Sequence, residues 1–161
     1  MFREMRRKRQ LMSVSDTEAV LDRHSNGILA CAGDNDYPYA VPVNYVYHQQ
    51  IIYFHSAKAG HKIDAILRQP KISFAVIDED TIVGAEYTSY FRSVIAFGHA
   101  RIVEGDERQS AFRALVEKYS ADQPEEEKKQ EINRCEHAVI VAIDIDHMTG
   151  KEAKEFLDAR R

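Results

Sequence analysis

Apolar positions in this chain recur at two spacings, and the switches between them divide it into elements. Tyr39, Val41, Val43, Tyr45 and Tyr47 occupy every second position and so share one face of an extended strand. Pro42, inside that run, has no N–H to offer a neighbour, which puts it at a sheet margin, at a bulge or facing a ligand. Apolar runs over 28–32, 51–55, 71–78 and 138–145 read as further strands, and 88–103 as one bent strand or two, with Gly98 as a natural bulge. Helical spacing appears in between. Ser15-Asp16-Thr17-Glu18 has capping-box form and opens a short helix to about Arg23. Ile63, Ile66 and Leu67 form a stripe directly after Gly60, closed by Pro70, and Ala111, Phe112, Leu115, Val116 and Tyr119 form a longer one. A solvated helix is expected over 123–134 and a terminal helix over 151–161. Six or seven strands, mostly hairpin-connected, predict a mainly β fold with peripheral helices, an antiparallel barrel rather than a parallel α/β sheet.

Length and composition narrow the class without naming a function. A chain of 161 residues fits one domain, here 1–161, and 44% apolar with 30% charged side chains is ordinary for a globular protein. No apolar run approaches the roughly 20 residues of a membrane span. The N-terminus lacks the apolar stretch of a secretory signal, so a cytoplasmic location without membrane contact is expected. Cys31 and Cys135 fit neither a disulfide framework nor a zinc site, and the histidines show no ligand spacing, so no metal is assigned. Net charge is −4, yet the first ten residues carry five positive and one negative side chain. This basic arm over 1–14 reads as solvated or folded over a partner subunit; the body carries no basic stripe that would suggest nucleic acid.

The segment Tyr53–Lys62 carries the chemistry. It runs from a strand end through a loop into a helix start, where unpaired N–H groups and the helix dipole favour an anion. Gly60 permits close backbone approach, Ser56 offers a hydroxyl, and Lys58, His61 and Lys62 offer positive or switchable donors. Neither GxxxxGK[ST] nor GxGxxG occurs, which disfavours nucleotide hydrolysis and ordinary NAD binding. From the residues alone an anion cradle and a merely solvated helix start remain equally open.

His55–Lys62, together with Tyr37–Pro42, Tyr90–Val94 and Met148–Ala153, resembles the nitroimidazole-resistance proteins, members of the pyridoxamine 5′-phosphate oxidase-like superfamily of FMN-binding split barrels. The resemblance implies an antiparallel split β-barrel of six to seven strands and FMN as cofactor. It places the FMN phosphate at Ser56, His61 and Lys62, with Lys58 and Gly60 beside them, and the ribityl chain or ring at Pro42, Val43 and Asn44. It implies a homodimer whose second subunit supplies Arg92, Ser93 and a turn from Met148 to Lys151. His55, at the strand end, becomes the candidate catalytic residue near the flavin face. Superfamily oxidases carry an aromatic residue where Met148 stands and substrate-phosphate residues without counterpart here, so pyridoxamine phosphate oxidation is not implied. The activity implied is a flavin-dependent reductase of small substrates, nitroaromatics among them, with a non-catalytic FMN- or haem-binding carrier or sensor as the alternative.

Overall fold

The structure is a computed structural model that describes residues 1–158. Seven strands form one sheet: β1 (Asn26–Ala32), β2 (Pro38–Asn44), β3 (Val46–His48), β4 (Ile51–Ala57), β5 (Lys71–Val83), β6 (Thr88–Val103) and β7 (Ala138–Glu152). Their order is β2-β1-β5-β6-β7-β4-β3, with every adjacent pair antiparallel. The sheet curls until β2 touches β4. Helices are α1 (Val14–Arg23), α2 (His61–Arg68), α3 (Gly105–Tyr119), α4 (Glu125–Arg134) and α5 (Lys154–Asp158). This is the mainly β, helix-flanked barrel that the strand pattern predicts.

Alternation along the strands sorts side chains into two apolar layers. Leu29, Phe54, Phe74, Val94 and Ile143 point into the barrel with Leu21 of α1, each at most 1% exposed. Burying one such side chain contributes about 1.5–3 kcal/mol. A second layer lies outside the barrel, where Phe112 and Leu115 of α3 cover Tyr53, Val103, Ile140 and Ala142.

Several local expectations are corrected. The first helix is capped by Ser13, whose Oγ accepts from the Asp16 N–H at 3.0 Å, rather than by Ser15. Glu18 is left free to accept from the Tyr47 hydroxyl at 3.2 Å. The run from Tyr39 to His48 is two strands that part at Tyr45. Gly98 does stand at an irregularity, but the inserted residue is Asp146 of β7, since Phe97 pairs His147 and Gly98 pairs Ile145. Gly98 is needed because a Cβ there would meet the Asp144 carbonyl oxygen at 2.2 Å.

Met148–Lys151 is not a turn. It continues β7 against β6 as far as Glu152, and the terminal helix therefore starts at Lys154 instead of Lys151. Its expected last residues, 159–161, lie outside the described residues. The basic arm is neither free nor solvated throughout: Leu11 bridges to Lys151, Met12 is 6% exposed in the barrel core, and Phe2 stacks on His147 and Phe97 of its own chain.

Candidate functional site

β4 delivers the central residues, and its period of two separates them. Ile52, Phe54 and Ser56 face the barrel interior, whereas Tyr53 and His55 face outward. Ser56, 4% exposed, accepts a hydrogen bond from the Lys62 Nζ at 2.9 Å. That bond spans the loop and fixes the ammonium beside the start of α2. Gly60 caps the helix with φ of +128°, a backbone conformation that only glycine adopts without strain. No side chain caps α2, and a Cβ built on Gly60 would meet nothing within 4 Å. The first-turn N–H groups are thus unmet by side chains at an open surface, with an ammonium beside them. Lys58 is exposed on the same loop.

His61 is drawn aside. Its ring stacks on Tyr39 at 4.0 Å and its Nε2 lies 3.6 Å from Asp34, on the turn between β1 and β2. Arg68, at the other end of α2, donates to the Ala32 and Gly33 carbonyls at 2.9 Å and pairs with Asp34 at 3.2 Å, tying helix to turn. The role of Asp34 and Arg68 in orienting α2 was not visible in the sequence, because the partners lie 34 residues apart.

On the outer side, His55 and Asn44 share a cavity of about 320 Å³ with Phe112, Leu115, Tyr119 and Cys135. The Tyr119 hydroxyl closes its rim: it accepts from the Tyr45 N–H at 3.0 Å and lies 2.6 Å from the Ser25 carbonyl and 2.7 Å from that of Tyr45. Burial, then the nearby Glu131 carboxylate, raises the Cys135 thiol above its ordinary range, which favours its protonated form. The apolar stripe of α3 was legible in the sequence; that it walls a cavity over His55 was not.

Of the remaining predicted residues, Pro42 and Asn44 are exposed on the edge strand β2, while Val43 is 9% exposed and packs into the barrel core. Met148 likewise packs against the core. Arg92, Ser93 and Lys151 cluster where β6 meets β7, with Ser93 opposite Lys151. Arg92 donates to Asp78 at 2.9 Å and to Glu152 at 3.4 Å, and lies over the Phe156 ring at 4.4 Å. Lys151 holds its ammonium 4.9 Å from the centre of the Phe91 ring. The structure therefore brings together Ser56 with Lys62, and Asn44 with His55, and gathers the β6–β7 residues into a separate group.

The chain matches the Pyridoxamine 5'-phosphate oxidase family over residues 13–152 and belongs to that family. No curated protein matches it. Among solved structures it is similar to a conserved hypothetical protein from Mycobacterium tuberculosis, at 22% identity and a TM-score of 0.79, covering 92% of this chain and 90% of that one. It is also similar to a candidate 5-nitroimidazole antibiotic resistance protein from Bacteroides thetaiotaomicron, at 20% identity and a TM-score of 0.73, covering 88% and 86%. An FAD- and haem-binding protein from Mycobacterium smegmatis shares 17% identity with a TM-score of 0.70, over 93% and 80%. At these identities the likeness establishes the fold alone.

Proposed function

We propose that the chain binds FMN, works as a cytoplasmic homodimer, and is a flavin-dependent reductase of small substrates, nitroaromatics among them. The observation that carries this reading is the Lys62–Ser56 pair beside the uncapped, glycine-opened start of α2. A terminal phosphate carries two negative charges, and this arrangement supplies backbone donors and an ammonium on one side of it. The residues fit: Lys62 and the first-turn N–H groups of α2 hold the phosphate, Lys58 and His61 border it, and Ser56 orients the Lys62 stem. Pro42 and Asn44 border the ribityl chain and ring, as does the backbone of Val43.

When bound, the flavin supplies two-electron transfer from an external donor to the substrate. His55 presents an exposed imidazole at the mouth of the cavity, able to give or take a proton at either ring nitrogen. Asn44 offers an amide donor and acceptor beside it, while Phe112 and Leu115 exclude water from the far wall. Ser93 and Lys151 of a second copy complete the site. Their separation from the cradle within one chain supports that division of labour. The likeness to an FAD- and haem-binding protein keeps a carrier role as the competing reading.

Lys62→Ala tests the cradle. Its loss removes a charge-assisted contact to phosphate, so FMN affinity should fall at least tenfold while riboflavin, which lacks the phosphate, is little affected. Equal loss for both ligands, or a protein that takes up no flavin at all, overturns the assignment. Anaerobic bleaching of bound flavin by NAD(P)H and its recovery on adding a nitroaromatic would separate reductase from carrier.

A further inference from the structure

The cavity beside His55 has walls of uneven chemistry. Phe112, Leu115 and Val116 lie one turn apart on α3 and form its apolar side, with the Tyr119 ring at the rim. The Tyr119 hydroxyl is engaged with the backbone of Ser25 and Tyr45, so this residue shapes the opening. Polar groups reach the cavity from two parts of the chain. Asn44 and His55 come from β2 and β4; Ser120, Glu131 and Cys135 come from the residue after α3, from α4 and from the turn that follows it. At about 320 Å³ the space is small for a ligand pocket and admits one or two rings.

Charge in this cavity is one-sided. Among the described residues Glu131 is the single carboxylate on its lining, and no lysine or arginine lines it. Nor does Glu131 make an ion pair among them; its Oε1 accepts from the Cys135 thiol at 3.8 Å. The cations of neighbouring turns are engaged elsewhere. Lys128 donates to Glu117 and to the Ala121 carbonyl at 2.9 and 3.0 Å, and Arg108 donates to the Cys135 carbonyl at 2.8 Å. Arg134 borders the adjoining groove between α3 and α4 and not this cavity. A carboxylate without a counter-charge, at the edge of an aromatic-walled space, attracts a cation, which aromatic faces also favour. The chain beyond residue 10 totals −8 against a whole-chain charge of −4, which adds attraction at longer range.

We infer that the cavity selects small aromatic substrates that carry a positive charge, with Glu131 as the specificity-determining residue. The ring lies against Phe112, Leu115 and Val116, the cationic substituent meets the Glu131 carboxylate, and the reducible group faces His55 and Asn44. Anions are rejected twice over: Glu131 repels them, and no cation on the lining receives them. The inference rests on the reductase reading for the fate of the reducible group. The charge preference belongs to the cavity with or without flavin.

Binding and turnover test it separately. In flavin-free wild type, alkylation of Cys135 by a maleimide at alkaline pH reports occupancy of the cavity, because Cys31 is 6% exposed in the core. Benzyltrimethylammonium should protect the thiol at concentrations about tenfold lower than benzyl alcohol requires, and benzoate should give no protection. In flavin-loaded protein, kcat/KM is compared for para-nitrobenzyltrimethylammonium, para-nitrobenzyl alcohol and para-nitrobenzoate. The ratio of cation to alcohol should fall about tenfold on Glu131→Gln, and the ratio of anion to alcohol should rise. Comparing ratios between the two proteins cancels the effect of each substituent on nitro reduction itself. Protection that ignores charge, or ratios unchanged by Glu131→Gln, overturns the inference. Charge-ordered protection in a protein that takes up no flavin would uphold the selectivity of the cavity and sink the reductase; nitroaromatic reduction without charge-ordered protection would do the opposite.

Discussion

The two sides of the barrel exterior are built from partly the same strands yet end in different environments. β6 passes through both: Val103, near its end, is 2% exposed beneath α3, whereas Ile95, eight residues earlier and on the same outward face, is 45% exposed. On β7 the two sides are separated by the extra residue Asp146. Ile140 and Ala142 face outward before it, and Met148 faces inward after it, because one inserted residue exchanges the two faces of a strand. An apolar outward residue is therefore core where a helix of its own chain lies over it and surface where none does. Strand pattern alone cannot tell these apart.

The largest expected effect breaks the covered side. Phe112 is 4% exposed among Tyr53, Ile140 and Ala142. Phe112→Ala removes a ring from a layer with little room to collapse and should cost about 3–5 kcal/mol. Denaturant unfolding of the flavin-free protein measures it. Ile95→Ala, on the bare side, should change the unfolding free energy of the monomer by about 0.5 kcal/mol or less. Comparable losses from both would mean that the bare side is packed within one chain.

That contrast explains what could be read in advance. Period-two and helical spacings report which residues are apolar on which face, so the strand count, the helix after Gly60 and the stripe of α3 were all legible. Ser56 and Lys62 were legible as a local pair because six residues separate them across one loop. The hidden features depend on long-range placement. His55 alternates with Ser56 to the opposite side of β4, and whether it meets solvent or a cavity depends on where α3 falls, 50 residues on. The resemblance implied that Arg92 reaches the flavin site of a second subunit; in this chain it is engaged by Asp78 and Glu152 through a register that only the folded sheet sets. At the end of β7 the resemblance implied a turn, and the helical spacing of Ala153, Phe156 and Leu157 implied a helix from Lys151, whereas the strand runs on to Glu152. Gly150 is needed there for close packing, since a Cβ would meet Thr17 and Met12 at 2.4 and 2.8 Å.

An effect of intermediate size tests what holds the bare side from within. The Asp78 side chain, itself 6% exposed, receives Arg23, His24 and Arg92, joining α1 to β5 and β6. Burial alone would raise its carboxyl, but hydrogen bonds from Arg23, His24 and Arg92 outweigh it and hold the group well below the usual carboxylate range. The folded state therefore favours the ionised form. Its stabilisation is complete above the unfolded carboxylate value of about 4 and is lost as pH falls below that toward the depressed folded value. Asp78→Asn should cost about 2–3 kcal/mol at neutral pH. It should also flatten the acid limb, so that variant and wild-type unfolding curves converge as pH is lowered. A difference independent of pH would assign the role of Asp78 to packing rather than charge.

The smallest effect lies at the rim of the covered side, where charge is abundant but wet. Arg101 makes two hydrogen bonds to Glu107, at 2.7 and 2.8 Å, and two to Asp144, at 2.6 and 3.0 Å. Tyr53 donates to the same Glu107 at 3.0 Å, and burial together with that bond pushes its hydroxyl up to about 12. The network looks stronger than the Asp78 cluster when counted by contacts. Yet Arg101, Glu107 and Asp144 are 41%, 37% and 44% exposed, and water screens each pair. Arg101→Met, which keeps most of the stem, should cost about 0.5 kcal/mol, and the loss should shrink further in high salt. Urea unfolding at two salt concentrations measures both. A loss above about 2 kcal/mol that persists in salt would show that the rim clamps α3 onto β4 and β7. The covered side would then depend on its charged border as well as on the apolar layer beneath.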